Sequence, residues 1–282
     1  MISINRFFRV LPFFLLTFAL SAHAQTLPQP TPSGSPPRSL ERDFFRNILR
    51  DQKAIWTAPL HIERSDAKWM IPAGVGLMAL FTTDRITGDE INEPRRQLGT
   101  SRAVSQAGTI YALGGAATTF YLLGRKEHSY RARETGLLSA EALIDSMIVE
   151  GVLKEITQRA RPADGVERSE FFDGGSSFPS GHSTQVWAVA TVVANEYKHR
   201  RAVQFGAYGV ATAVSVARFT GQKHYISDVV AGSAVGYGIG RYVYGARHRD
   251  ELHPTISSAW PRVAPDFDRH AHRYGVALSW NF

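Results

Sequence analysis

Three short stretches in the second half of the chain carry side chains suited to chemistry on an anionic group. The first is KEITQRARP, in which Lys154 and Arg161 lie seven residues apart. Seven residues make two turns of an α-helix, so both cations are expected on one helix face, near the end that Pro162 limits. Two aligned cations can bind an anion, and a solvated helix surface shows the same pattern.

The second stretch, SSFPSGHSTQVW, leads into an apolar run that is typical of a helix. Pro179 suits the start of that helix. The N–H groups of Ser180, Gly181 and His182, with the Ser180 hydroxyl, would surround an anion at the positive end of the helix dipole. Gly181 has no side chain to block the approach of oxygen atoms. His182 would then stand beside the anion as a proton donor.

The third stretch, ARFTGQKHYISD, contains Arg218, His224 and Asp228. If a helix has begun at His224, Asp228 lies one turn further on, and its carboxylate can accept the proton of one ring nitrogen. The other nitrogen then keeps its lone pair, as a nucleophile or a base requires. Arg218 supplies a planar fork of donors that matches phosphate oxygens.

Together the three stretches supply the parts that phosphoryl transfer needs when no metal takes part. Cations and helix-end amides stabilise the charge on the phosphate oxygens. One oriented histidine can attack phosphorus, and a second can protonate the leaving oxygen. No metal-ligand set is assigned to these residues.

The chain has no cysteine and an excess of basic residues. The first fact excludes thiolate chemistry, including cysteine-based phosphatases and cysteine-ligated zinc. The formal net charge is +7, and it would be +5 without the first 24 residues, which hold two arginines and no acidic residue. The basic excess favours an anionic partner, and with the parts for phosphoryl transfer we expect a phosphorylated small molecule or lipid. Because the basic residues are scattered along the chain, we expect no nucleic acid as partner. Contact with a membrane surface is left open. The oligomeric state is also left open.

The N-terminal residues have the features of a targeting segment. Arg6 and Arg9 precede an apolar run that ends in Ala22-His23-Ala24, which predicts a secretory signal peptide over residues 1–24. An uncut N-terminal anchor helix is the alternative, and either version exports the protein to the periplasm or the cell envelope. Residues 25–39 are rich in proline and serine and predict a disordered lead-in.

From residue 40 onward the apolar residues follow a helical period. In the first such segment one face collects Leu40, Phe44, Phe45, Ile48 and Leu49. Six further stretches are long and apolar enough for helices: Trp69 to Thr83, Gln106 to Gly124, Gly136 to Lys154, Ser183 to Asn195, Ala202 to Ala217 and Val229 to Tyr244. We therefore predict an all-α fold, a helical bundle over residues 40–250.

The apolar stretches raise the alternative of a protein with several membrane spans. Two observations favour a soluble bundle instead. With a cleaved signal, basic loops such as Arg125 to Glu134 would lie outside, against the positive-inside tendency. In addition, the apolar stretch from Gly136 to Lys154 contains the acidic residues Glu141, Asp145 and Glu150.

The last residues, YGVALSWNF, alternate between large apolar and small or polar side chains, which predicts a strand. With a partner expected near residues 255–260, this strand would form a short β-hairpin within a C-terminal extension, residues 251–282.

The three stretches resemble, in order, the signature motifs K-x6-RP, PSGH and SR-x5-H-x3-D of the type-2 phosphatidic acid phosphatase family. That family also includes bacterial acid phosphatases and vanadium haloperoxidases, and its helical bundle agrees with the all-α layout. The resemblance runs from Lys154 to Asp228, and three spaced motifs are far more specific than one. Ala217 departs from the pattern, which has serine there, so a hydroxyl contact is absent.

The resemblance implies a role for each motif residue. The residues that would bind the phosphate oxygens are Lys154, Arg161, Ser180, Gly181 and Arg218. His224 would attack phosphorus to form a phosphohistidine, Asp228 would orient His224, and His182 would protonate the leaving alkoxide. Water would then release the phosphate.

The leading hypothesis is a metal-independent phosphatase that acts on phosphate monoesters or lipid (pyro)phosphates. It needs no cofactor, and vanadate is expected to occupy the phosphate site as an inhibitor. Two alternatives stand beside it: a vanadate-dependent haloperoxidase that uses the same pocket, and a non-catalytic envelope protein that binds anionic lipid headgroups.

Overall fold

The structure is a computed structural model that describes residues 40–62, 66–90, 95–162, 170–248, 262–268 and 273–279. The predicted signal peptide and the proline-rich lead-in lie outside the described residues. Residues up to Tyr244 form one compact unit, and residues from Gly245 onward form another.

The described ranges contain eight α-helices. They are α1 (Leu40–Thr57), α2 (Ala67–Glu90), α3 (Arg95–Ser105), α4 (Ile110–Lys126), α5 (Tyr130–Thr157), α6 (Gly181–Glu196), α7 (Arg201–Thr220) and α8 (Ile226–Arg247). Short 3-10 turns occupy Ala58–His61 and Gln106–Gly108. The all-α prediction is confirmed, and each of the seven apolar segments contributes a helix.

The sequence did not predict α3, and it merged the turn at Gln106–Gly108 with α4. The helix restarts because Thr109 has an extended backbone and its Oγ1 accepts a hydrogen bond from the Ala112 N–H at 3.3 Å. Such a cap satisfies one of the amides that a helix start leaves without a partner.

The core forms around α6, which packs against α5 and α7. One cluster of buried residues joins α5, α6 and α8, with Leu138, Val192 and Val243 fully buried. A second cluster joins α4, α5, α6 and α7, and Val214 lies at its centre with no exposed surface. The N-terminus of α6 is therefore anchored in the middle of the bundle.

Helix α8 approaches α6 through a row of glycines. A Cβ atom at Gly236 would lie 2.1 Å from the Thr184 carbonyl oxygen, and one at Gly240 would lie 2.4 Å from that of Ala188. No side chain fits at either distance. The two helices therefore pack in close contact along these glycines.

Helix α1 buries only part of the apolar face found in the sequence. Phe45 and Leu49 are exposed, while Asn47, Ile48 and Asp51 are buried. The reason is the surface of α5 beneath it, because Asn47 Nδ2 donates to Glu141 there, at 3.1 Å. Buried carboxylates need hydrogen-bond donors, so polar residues of α1 face the bundle.

Helix α2 has many apolar residues on its exposed surface, among them Trp69, Ile71, Val75 and Met78. Its C-terminal half reaches the bundle, where Phe81 contacts Phe171 and Phe178 with ring centroids 5.3 and 5.6 Å apart. Within the described ranges, no helix combines the length and the apolar composition that crossing a membrane requires.

The second unit contains a hairpin of β1 (Arg262–Asp268) and β2 (Arg273–Ser279). The strands are antiparallel, and Pro265 pairs with Val276. The prediction of a hairpin agrees with this pair. The partner strand was expected near residues 255–260, which lie outside the described residues, and β1 begins just after them, at Arg262. Trp280 and Phe282 also lie outside the described residues.

Candidate active site

His224 is buried, with 3% of its surface exposed, in the loop between α7 and α8. Its Nδ1 atom lies 2.8 Å from the Ser177 carbonyl oxygen and 3.8 Å from Asp228 Oδ2. A carbonyl oxygen only accepts, so the neutral ring carries its proton on Nδ1 and its lone pair on Nε2. The predicted direct hydrogen bond with Asp228 is wrong, because α8 begins at Ile226 and His224 is not in its first turn.

Asp228 acts on His224 through Ser177. Its Oδ2 accepts hydrogen bonds from the Ser177 hydroxyl at 2.5 Å and from the Tyr225 N–H at 3.0 Å. Burial alone would raise the pKa of Asp228, but the nearby His224 ring, the Arg159 guanidinium and the Ser177 hydroxyl outweigh it and lower that pKa. Asp228 is therefore an anion that holds the residue whose carbonyl orients His224.

Arg159 joins Asp228 to a second buried carboxylate. Its Nη1 lies 2.6 Å from Asp228 Oδ1, and its Nη2 lies 2.8 Å from Asp84 Oδ2 on α2. Ser227 completes the network, because its hydroxyl donates to Asp84 and accepts from Arg159 Nη1 at 2.7 Å. None of these side chains has more than 1% of its surface exposed. Paired charges of this kind are costly to break.

Aromatic rings and backbone bonds hold Arg159 in place. The guanidinium carbon lies 4.3 Å from the Tyr225 ring centroid and 5.0 Å from that of Phe171. The Arg159 carbonyl accepts from the Ser177 N–H at 2.8 Å. The loop that carries Ser177 is thus fastened to the loop that carries Arg159, and both surround the buried side of His224.

Arg159, Asp84 and Ser177 were not among the site residues predicted from the sequence. Arg159 lies only two residues before Arg161, and Asp84 is far from all three motifs in the chain. The only signal in the sequence is that Asp84 follows the apolar face of α2. Asp84 and Arg159 are 75 residues apart in the chain, so no local sequence pattern indicates that they form an ion pair.

The spacing predicted that Lys154 and Arg161 share a helix face. In the structure they do not. Helix α5 ends at Thr157, and Gln158 adopts a left-handed conformation with φ of 44°. Arg161 follows in the loop, where its Nη2 donates to the Ser176 hydroxyl at 3.1 Å. Lys154 is in the last turn of α5, and its Nζ lies 2.6 Å from Glu150 Oε1.

The N-terminus of α6 supplies a different set of amides from the one predicted. The Ser180 N–H donates to the Asp228 carbonyl at 3.0 Å, so that amide is already used. The N–H groups of Gly181, His182 and Ser183 lie in the first turn, where a helix offers no acceptor, and these remain suited to an anion. The Ser180 hydroxyl is buried and accepts from that of Ser183 at 3.2 Å.

His182 lies close enough to several of the predicted residues for them to shift its pKa. The pKa of His182 is lowered to about 4, first by burial and then by its neighbours Arg218, His224, Lys154 and Arg161. The tertiary structure has therefore gathered side chains from all three sequence motifs around one imidazole. His224 is also kept neutral, because burial lowers its pKa more than Asp228 raises it.

Arg218 shows that the site is suited to an anion. Its Nε is buried and, among the described residues, has no hydrogen-bond partner. Burial, followed by the charge of Arg161, lowers the pKa of Arg218 to about 10, so it still carries its charge at neutral pH. A phosphate oxygen would supply the missing acceptor and compensate both arginines.

A comparison with known protein families agrees with this geometry. Residues 135–251 match the model of the PAP2 superfamily. The match contains all three motifs, and the resemblance read from the sequence is confirmed.

Individual PAP2 relatives are similar over parts of their length. Phosphatidylglycerophosphatase B of Bacillus subtilis is 31% identical over 125 residues, which cover 41% of this chain and 59% of that protein. A PA-phosphatase related-family protein of Dictyostelium discoideum is 26% identical over 169 residues, covering 53% and 61%. Lipid A 1-phosphatase of Porphyromonas gingivalis is 36% identical over 70 residues, covering 24% and 16%. The matches span less than two thirds of each relative.

A solved PAP2 structure has the same fold. The crystal structure of the first transmembrane PAP2 type phosphatidylglycerolphosphate phosphatase from Bacillus subtilis superimposes with a TM-score of 0.50 at 21% identity. The superposition covers 76% of this chain and 96% of that one. At this level of identity the likeness supports the helical fold only.

Proposed function

We propose that this chain is a phosphatase that hydrolyses phosphate esters through a phosphohistidine on His224, without a metal ion. One observation carries the proposal: the buried, neutral His224 donates its Nδ1 proton to the Ser177 carbonyl, and Asp228, Arg218 and Arg161 are close enough to shift its pKa. Binding of an anionic headgroup alone would need no histidine held in one tautomer.

In the first step, the lone pair of His224 Nε2 attacks phosphorus while Arg161, Arg218 and the first-turn amides of α6 stabilise the charge on the phosphate oxygens. The bond from phosphorus to the ester oxygen breaks, and that oxygen takes the proton of His182. The electron pair leaves with the alcohol, and the phosphoryl group stays on Nε2.

His182 must be protonated for this step, and burial, followed by the nearby cations Arg218, Lys154 and Arg161, opposes it. The charge of a bound phosphate dianion counteracts those cations, so substrate binding itself raises the pKa of His182. In the second step, neutral His182 accepts a proton from water as the water oxygen attacks phosphorus. The bond to Nε2 breaks, which releases phosphate and restores His224.

The proposed substrates are lipid phosphates or pyrophosphates. Two relatives, lipid A 1-phosphatase and phosphatidylglycerophosphatase B, are named as phosphatases of lipids. In addition, α2 has exposed apolar residues along its first half and contributes Asp84 to the buried network. An element that contacts acyl chains would thus lead directly to the site, and we propose a location at the membrane or cell envelope.

The test is to trap the intermediate. The protein is mixed with ³²P-labelled phosphatidic acid or phosphatidylglycerophosphate, quenched in alkali and analysed for phosphohistidine, which is stable in alkali and labile in acid. We expect label on His224 in the wild-type protein and none in His224→Ala, with phosphate release reduced by more than about 10³-fold. Activity should survive a metal chelator and be inhibited competitively by vanadate.

Hydrolysis that persists in His224→Ala, or that a chelator abolishes, would overturn the proposal. Peroxide-dependent halide oxidation by the vanadate-loaded protein, with no phosphatase activity before loading, would favour the haloperoxidase alternative. Lipid binding without turnover of any substrate would favour the non-catalytic one.

A further inference from the structure

Glu150 is a buried carboxylate in the phosphate site to which the mechanism gives no role. It lies one turn before Lys154 on α5, and 8% of its surface is exposed. Its Oε1 lies 2.6 Å from Lys154 Nζ, and its Oε2 accepts from Gln185 Nε2 at 2.8 Å. It therefore connects the first cation of the site to α6.

The carboxylate lies directly against the start of α6. A Cβ atom at Gly181 would be 2.2 Å from Glu150 Oε1 and 2.7 Å from its Oε2. The absence of a side chain at Gly181 thus makes room for a protein carboxylate and not only for a phosphate. A negative charge near the first turn of a helix is stabilised by the helix dipole, which here is also expected to attract the substrate.

This carboxylate reduces the positive charge that a phosphate meets. Lys154, Arg161 and Arg218 would present three charges to an anion of about two charges, and Glu150 offsets one of them at contact distance. Strong binding of the phosphate group stabilises the product as well as the transition state, and it then slows release. A fixed anion beside Lys154 weakens the binding of free phosphate. Arg161 and Arg218 can still stabilise the charge on the phosphate oxygens in the transition state.

We propose that Glu150 is a positioning residue that holds Lys154 at the start of α6 and weakens the binding of free phosphate, so that product is released. The inference rests on the proposed function, since it assumes that the cations bind a phosphate group. It does not require that a particular ester is hydrolysed.

The experiment measures binding of inorganic phosphate by calorimetry, without turnover. Glu150→Gln removes the charge, keeps the size and still offers an oxygen to Lys154, so we expect the dissociation constant of phosphate to fall by about tenfold. Glu150→Asp keeps the charge and should stay within about threefold of wild type. Glu150→Ser, a second neutral variant, should also tighten binding, so the test does not depend on one variant folding.

Glu155→Gln is the matched control, because Glu155 is an exposed glutamate on the same helix. It makes the same change in net charge and should leave phosphate binding unchanged. Unchanged or weaker binding in Glu150→Gln, or tightening of the same size in Glu155→Gln, would overturn the inference. If Glu150 has only a structural role, Glu150→Gln should lower the free energy of unfolding and leave the phosphate affinity equal to that of the wild type.

The two proposals fail in different ways. If phosphate binds and tightens as expected but no ester is hydrolysed, the proposed function is wrong, and only the effect of Glu150 on phosphate affinity stands. If hydrolysis occurs through His224 and Glu150→Gln does not alter phosphate affinity, the role of Glu150 is wrong and the proposed function stands.

Discussion

The two histidines of the site lie in contrasting surroundings. His224 is on a buried side, where Asp228, Arg159 and Asp84 form an ion-pair network with almost no exposed surface. His182 is on a partly open side, next to Lys154, Arg161 and Arg218, none of which is fully buried. The first side has its hydrogen bonds satisfied within the protein, and the second has donors suited to an external anion.

The contrast shows how a helical bundle can separate two needs of one reaction. A nucleophile needs one fixed tautomer and orientation, which a dry network of paired charges supplies. A phosphate must enter and leave, so the groups that bind it have to keep contact with solvent. Substitutions on the open side should therefore change kinetics, and those on the buried side should change stability as well.

The largest effect is expected on the open side, at His182. In His182→Ala the leaving oxygen has no acid, so hydrolysis of an alkyl phosphate should slow by about 10²- to 10⁴-fold. A p-nitrophenolate leaves without a proton, so p-nitrophenyl phosphate should slow by less than about tenfold. Steady-state kinetics with both substrates measure the difference.

His224→Ala provides the control for this prediction, since loss of the nucleophile must affect both substrates. Equal losses for the two substrates in His182→Ala would mean that His182 binds the phosphate and does not act as the acid. The division of roles between the two sides would then be wrong.

The next effect compares two arginines in one loop. Arg159→Met leaves Asp84 and Asp228 buried without their shared cation and should destabilise the protein by about 3–5 kcal/mol. Arg161→Met, two residues further on and partly exposed, should cost less than about 1 kcal/mol and instead raise KM. Urea unfolding and steady-state kinetics on the same pair of variants test this. Similar losses of stability would contradict the contrast.

The smallest effect is on the dependence of stability on pH. The pKa of His182 is about 4 in the folded protein and near 6.5 when unfolded, so between these values the unfolded chain binds a proton that the folded protein does not. Stability therefore falls as the pH drops from 6.5 to 4, and buried His224 acts in the same direction. We expect His182 to contribute about 1–2 kcal/mol, less than its full shift because the ring is partly exposed.

Urea unfolding at several pH values in this window measures the slope. His182→Gln should flatten it, whereas His199→Gln, at an exposed histidine in the turn after α6, should keep the wild-type slope. Saturating phosphate should also reduce the slope, because an anion favours protonated His182. A His182→Gln slope equal to that of the wild type would show that the ring is not held neutral.

Much of the fold and of the site could be predicted from local patterns. Apolar periodicity identified seven of the eight helices, and it missed α3, whose sequence is mostly polar. The burial of polar residues of α1 has a tertiary cause, because Asn47 and Gln52 donate hydrogen bonds to carboxylates of α5. The site residues were recognisable because three motifs with chemical side chains stand in order.

The sequence by itself determined the helical fold class and the candidates for nucleophile, acid and phosphate-binding cations, because those depend on residue type and motif spacing. Tertiary structure alone decided which arginine is buried, which atom accepts the hydrogen bond from His224 Nδ1 and which carboxylate lies against Gly181. The physical reason is that burial and pairing join residues such as Asp84 and Arg159, which are far apart in the chain. Helix ends at Thr157 and Ile226 also shift side chains away from the positions that an unbroken helix would give them.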